Sequence, residues 1–218
     1  MPVLIPDPTR GVALSAFLPL VGQHCPSAPS VSIEFWARRA AIELCRRTLA
    51  HQATLASFDT VISPLTDTYT LDFGTEPLQV AKLLGCRVNG QRMELRTPAE
   101  FDKAWDLDTT PSAPECAYLS GTNALTLYPP PAAVVPVVAR VALEPTATAA
   151  SIDGSVFAQY ADAIAYRAAA HLAMTPAGRD ERLAAAMMGL FEAEIGKASA
   201  ATYFNRSRSG PRTTPTWC

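Results

Sequence analysis

The sequence predicts an α+β fold that is mainly helical. It reads as a three-helix bundle, one long helix N-terminal and two C-terminal, carrying an inserted small antiparallel β section and extended N- and C-terminal arms. Three observations predict it. Apolar residues recur at helical spacing over residues 32–55 and again after residue 153, and between those stretches they recur at a period of two. Prolines and glycines punctuate both ends. The expected organisation is an arm over 1–29, a single domain over 30–204 and an extended tail over 205–218. Within the domain, the helical bundle takes 30–55 and 153–204 and the β insertion takes 56–152. A chain of 218 residues that is 49% hydrophobic and 17% charged is globular and can bury one sizeable core or two small ones.

The opening MPVLIPDPTRGVALSAFLPLVGQHCP lacks a basic leader, and prolines with Asp7 break its apolar run. That excludes the pattern of a secretory signal and suggests an extended arm lying on a neighbour. No stretch approaches eighteen uninterrupted apolar residues, so no membrane span is expected. In SIEFWARRAAIELCRRTLAHQATL, residues Ile33, Trp36, Ala37, Ala40 and Leu44 form one stripe, widened by Ile42, Cys45 and Leu49. Arg39, Glu43 and Arg47 follow at four-residue steps on the opposite side and can support one another. With Ser30 or Ser32 as its cap, this predicts a helix of about six turns.

The period then changes. In TYTLDF, Tyr69, Leu71 and Phe73 face one way and Thr68, Thr70 and Asp72 the other. LQVAKLLGCRV and RMEL flank Asn89-Gly90, a strong hairpin signal. In TPAE, Thr97 caps, Pro98 takes the first helical position and Glu100 reaches back, which starts a short helix through Trp105. ALTLY and VVARVALE are two further strands. In the second, Val137, Ala139, Val141 and Leu143 alternate with Val138, Arg140, Ala142 and Glu144, and Pro129–Pro131 make the corner between the two.

Helical spacing returns with Phe157, Tyr160, Ile164, Ala168 and Leu172, a stripe that stops at MTPAG. The next stripe holds Leu183, Met187, Leu190, Phe191, Ile195 and Ala198. From Ala177 to Phe204 it predicts a helix about 42 Å long. The alanine content of both suits helix-on-helix packing. The chain closes with TYFNRSRSGPRTTPTWC, where Gly210, Pro211 and Pro215 keep Arg206, Arg208 and Arg212 on an extended segment. Such a segment cannot bury its own Trp217, although burying an indole removes about 200 Å² from water, roughly 5 kcal/mol gross. A partner's pocket would release that energy, and Trp and Arg are the types enriched at binding hot spots. Arg206, Arg208, Arg212 and Trp217 are the candidate partner-binding residues.

A search for chemistry finds little. Asp106-Leu107-Asp108-Thr109-Thr110 matches the D-x-D-x-T pattern of phosphatases with an aspartyl nucleophile. Here it follows EFDKAW and precedes PSAPE with no parallel βαβ context, so a turn is the better reading and a hydrolase using Asp106 and Asp108 the weaker one. His24, His51 and His171 are widely separated and lack metal spacing. Cys45 lies on a helical core stripe, and Glu192 and Glu194 point in different directions. The five cysteines (Cys25, Cys45, Cys86, Cys116, Cys218) show no C-x-x-C pair, which suggests neither a disulfide framework nor a zinc site. No catalytic residue, cofactor or metal is expected. A net charge of −2 argues against a general nucleic-acid-binding role.

The segment FLPLVGQHCPSAPSVSIEFWARRAAIELCRRTLAHQATL, the strands around NALTLYPPP and ARVALEPTATA, and YADAIAYRAAAHLAMTPAGR followed by FEAEIGKASAATYFNRSRSGPRT resemble the head-to-tail adaptor (connector) proteins of tailed bacteriophages. The resemblance runs in order from Phe17 to Thr213 and rests on the sequence of segments, each soft by itself. It implies a structural virion protein at the head-tail junction, made in the host bacterial cytoplasm. It also implies a ring of around twelve copies beneath the portal, built by heterologous contacts, with portal and tail or nozzle proteins as partners. DNA would pass through the lumen without specific binding. The C-terminal tail would dock on the portal. A generic helical interaction protein of a bacterial cell is the alternative.

Overall fold

In the computed structural model the described residues are 11–55, 57–61, 68–73, 77–100, 110–176 and 179–207, with side chains to Thr202 in the last helix. Eleven strands are present among them: β1 (Gly11–Ala13), β2 (Gln52–Thr54), β3 (Phe58–Asp59), β4 (Thr68–Thr70), β5 (Leu78–Val88), β6 (Gln91–Arg92), β7 (Glu94–Leu95), β8 (Cys116–Gly121), β9 (Ala124–Tyr128), β10 (Pro136–Pro145) and β11 (Ser151–Asp153). A 3-10 turn (Leu14–Phe17) leads into α1 (Leu18–Gly22), followed by α2 (Ser30–Thr48), α3 (Gly154–Ala173) and α4 (Glu181–Ser207).

This corrects the expected fold class. With 43% helix and 30% strand in three sheets, the protein is not a mainly helical three-helix bundle with a small β section. By internal contacts the chain forms two compact units, one from the residues before 14 with 51–155, the other from 14–50 with those after 155.

In the first unit, β5 and β10 pair antiparallel along their length, from Val137↔Val88 to Pro145↔Leu78, with irregularities after Arg140 and Ala142. β2 and β3 pair with β10 on its other side, and β6 with β5. A second sheet has the order β4-β9-β8-β7, its β7–β8 pairing parallel. Both sheets line one core that includes Leu71, Leu83, Cys86, Leu125, Leu127, Val137, Val141 and Leu143. β1 and β11 form a separate pair.

Two local signals act as read. The Asn89-Gly90 hairpin forms, with φ of 49° and 79° and the pairs Val88↔Gln91 and Arg87↔Arg92. The Thr97 box also forms: Thr97 N–H donates to Glu100 Oε2 at 2.8 Å, and Glu100 N–H donates to Thr97 Oγ1 at 3.3 Å. Helical residues follow at 98–100, and the rest of that expected helix lies outside the described residues.

Other expectations are overturned. The first long helix does not reach Leu55. Leu49 takes a left-handed conformation (φ 52°) and its N–H closes on Cys45 O at 2.9 Å, while Thr48 Oγ1 donates to Leu44 O at 2.7 Å and accepts the Ala50 N–H. The chain then leaves as β2, because β10 offers it a sheet edge. Pro29, not a serine, stands at that helix's N-terminal boundary. The described part of the N-terminal arm is extended only at β1: beyond it Leu14, Phe17 and Val21 are buried along a helical turn, and Phe17 meets Phe157 edge-on with ring centroids 5.2 Å apart. Towards the end of β10 both alternating sets are buried, Ala142 and Glu144 with Val141 and Leu143, and the Gln79 amide donates to Glu144 at 2.6 Å.

Candidate functional site

Three helices meet in the second unit around charged side chains whose sequence spacing hid their partners. Arg47 on α2 donates two parallel hydrogen bonds to the Glu192 carboxylate on α4, each 2.6 Å. Glu43, one turn before Arg47 and 3.5 Å from it, accepts from Arg167 Nε of α3 at 2.8 Å. Both guanidinium groups lie over the buried Phe191 ring, 5.8 and 5.5 Å from its centroid. A cation over an aromatic face is attracted by the ring quadrupole, so Phe191 is both core residue and cation platform. Glu194 points elsewhere, to Lys197 at 2.6 Å, as its two-residue offset from Glu192 requires.

The start of α2 carries a second cluster. Trp36 stacks on His171 with centroids 4.3 Å apart and planes 13° from parallel. Burial pushes the His171 pKa below its ordinary value, and Arg167 adds to the effect. Phe35 meets Trp36 edge-on yet is 45% exposed, and Val31, one turn earlier, is 76% exposed. Beside them opens a cavity of about 530 Å³, whose walls include Cys25, Pro26, Pro29, Trp36, Leu183 and Asp180. Burial raises the Cys25 thiol pKa, helped by the Asp180 charge. A smaller cavity of about 320 Å³ lies by the Asn89-Gly90 hairpin, between Met93, Pro114 and Pro131.

These features are apolar faces, ion pairs and a groove. Among the described residues no group of three or more His, Cys, Asp and Glu side chains could hold a metal ion, and no helix is long and apolar enough to cross a membrane. His51 lies 3.8 Å from Asp153, whose carboxylate caps α3 by accepting the Ser155 N–H at 2.8 Å and its hydroxyl. Cys25, Cys45, Cys86 and Cys116 form no disulfide with one another.

Compared with known families, residues 18–215 match the profile of the SU10 adaptor protein family. The chain belongs to that family. It is therefore a bacteriophage head-to-tail adaptor, a structural protein whose general partners are phage portal and tail proteins. No curated protein matches the adaptor. Of the residues singled out in its tail, Arg206 falls on the last turn of α4, beyond the described side chains, and Arg208, Arg212 and Trp217 lie outside the described residues. Asp106 and Asp108 do so as well. The Glu43–Arg47–Arg167–Glu192 set was only partly legible. The four-residue steps of Arg39, Glu43 and Arg47 announce contacts along one helix, but no periodicity announces bonds to α3 and α4.

Proposed function

We propose that the adaptor closes as a ring of around twelve copies in the virion neck, beneath the portal of the filled capsid, and joins it to the tail. In this reading the C-terminal segment docks on the portal: Arg206, Arg208 and Arg212 pair with carboxylates and Trp217 enters a pocket as the anchor. The β unit faces the next tail component or the adjoining copy. Genomic DNA passes through the lumen without specific binding, a role compatible with a chain of net charge −2, since a strongly basic wall would hold the phosphates.

The observation that carries the reading is family membership across residues 18–215, which takes in most of the basic tail. The exposed Val31 and Phe35 support it, because large apolar side chains grouped on a surface mark contact sites. The test mixes purified portal rings with the adaptor and measures mass and stoichiometry by native mass spectrometry and electron microscopy. A closed adaptor ring on the portal is expected, and both deletion of residues 208–218 and Trp217→Ala should weaken its attachment without changing the melting temperature. Undiminished attachment of the truncated chain would remove the tail from the interface.

A further inference from the structure

The cavity at the start of α2 has the character of a peptide groove. It is bounded by Pro26 and Pro29 on the loop before α2, by Trp36, and by Leu172 and Leu183 where α3 gives way to α4, with Asp180 as an acidic wall. The exposed Val31 and Phe35 on α2 and Met174 after α3 adjoin those wall residues in sequence. A volume of about 530 Å³ lies within the range of sites that take a small ligand or several side chains. Aromatic and proline walls of this kind suit an extended, proline-containing segment, whose backbone is already fixed and loses little entropy on docking.

The chain itself contains such a segment. Residues 1–10, MPVLIPDPTR, precede β1 and lie outside the described residues; Val3, Leu4 and Ile5 are bracketed by Pro2, Pro6 and Pro8. Ten residues span at most about 33 Å when extended, ample to bring three aliphatic side chains across a gap between subunits. Arg10 supplies positive charge to meet Asp180. The C-terminal tail, also outside the described residues, is already given to the portal in the reading above.

We propose that residues 1–10 of one copy occupy the groove bounded by Pro26, Pro29, Trp36, Asp180 and Leu183 on an adjoining copy. Val3, Leu4 and Ile5 fill its apolar part, and a cationic group at one end of the arm faces Asp180. The assignment to a second copy rests on the ring reading, because a closed ring joins unlike surfaces of successive copies and an arm seated in its own groove would join nothing.

The test uses the full chain, a variant lacking residues 2–10, and a labelled synthetic peptide of residues 1–10. The peptide should bind the arm-less protein and slow the reaction of Cys25 with a maleimide. Ser27→Trp, at an exposed loop position that lines the groove, should weaken peptide binding about tenfold or more, some 1.4 kcal/mol, with the melting temperature kept. Excess unlabelled peptide should inhibit assembly of the full chain on portal rings, and the arm-less chain should assemble poorly. Three results would each overturn the arm's placement while leaving the ring reading intact: no peptide binding, normal rings from the arm-less chain, or displacement of the peptide by a peptide of residues 208–218. If the full chain forms no ring on the portal, the ring reading fails and this placement fails with it.

Discussion

Arg47 and Glu192 form a two-pronged ion pair between α2 and α4, Nη1 to Oε1 and Nη2 to Oε2, each 2.6 Å. The bond raises the Arg47 pKa and lowers that of Glu192. With side chains 39% and 47% exposed, solvent screening limits the pair to about 1 kcal/mol or less. Arg47→Ala should cost about that much at pH 7. Because the Glu192 pKa is lower in the folded state, its contribution is present above the unfolded value near 4.3 and is lost as pH falls through the folded value. Urea titrations at pH 7 and pH 3 should therefore show the Arg47→Ala penalty shrinking in acid.

The Trp36–His171 stack gives a second pH dependence. Burial, then Arg167 and Arg39, favour neutral His171, with Glu43 opposing. A pKa lowered by folding means stability that is full above about 6.5 and declines as pH falls through the folded value. His171→Phe keeps an aromatic face against Trp36 without a titrating ring. Its melting temperature should vary less than that of the parent between pH 7 and pH 5.

Asn123 joins the two larger sheets. Its side-chain oxygen accepts the Val80 N–H of β5 at 2.8 Å, its carbonyl accepts the Leu71 N–H at 2.7 Å, and its φ is 58°. Asn123→Ala loses the first bond and puts a Cβ without local hydrogen bonding into a left-handed conformation, together costing about 2 kcal/mol. Asn123→Asp keeps the acceptor and should cost less. Chemical denaturation of both variants checks this.

Cys86 is 1% exposed in the shared core, and burial pushes its pKa up to about 12. It should resist iodoacetamide in the folded protein at pH 8 and react once urea unfolds the chain. Since the unfolded thiol ionises near 8.5 and the folded one only near 12, its contribution to stability is lost as pH rises between those values. Cys86→Ala should flatten the alkaline decline.

Gly189 and Gly196 stand exposed in the interior of α4, and a Cβ at either would meet nothing within 4 Å. Replacement by alanine should stabilise the isolated protein by up to about 1 kcal/mol each, read from the urea midpoint.

Sequence alone determined the features whose causes lie within a few residues. The Asn89-Gly90 turn, the Thr97–Glu100 box, strand β5 and the buried stripes of α2, α3 and α4 follow from φ preference, side-chain reach and periodicity. The succession of patterned segments was also enough to place the chain among phage adaptors. Tertiary structure decided the rest. Two- and three-residue strands such as β2, β3 and β11 have no period to read and exist because a partner edge is present. The burial of Ala142 and Glu144, the end of α2 at Thr48 and the bonds from Glu43 and Arg47 to other helices likewise depend on groups far away in sequence. A hydrogen bond or a buried surface needs both its sides in place, and in those cases the second side comes only from the folded chain.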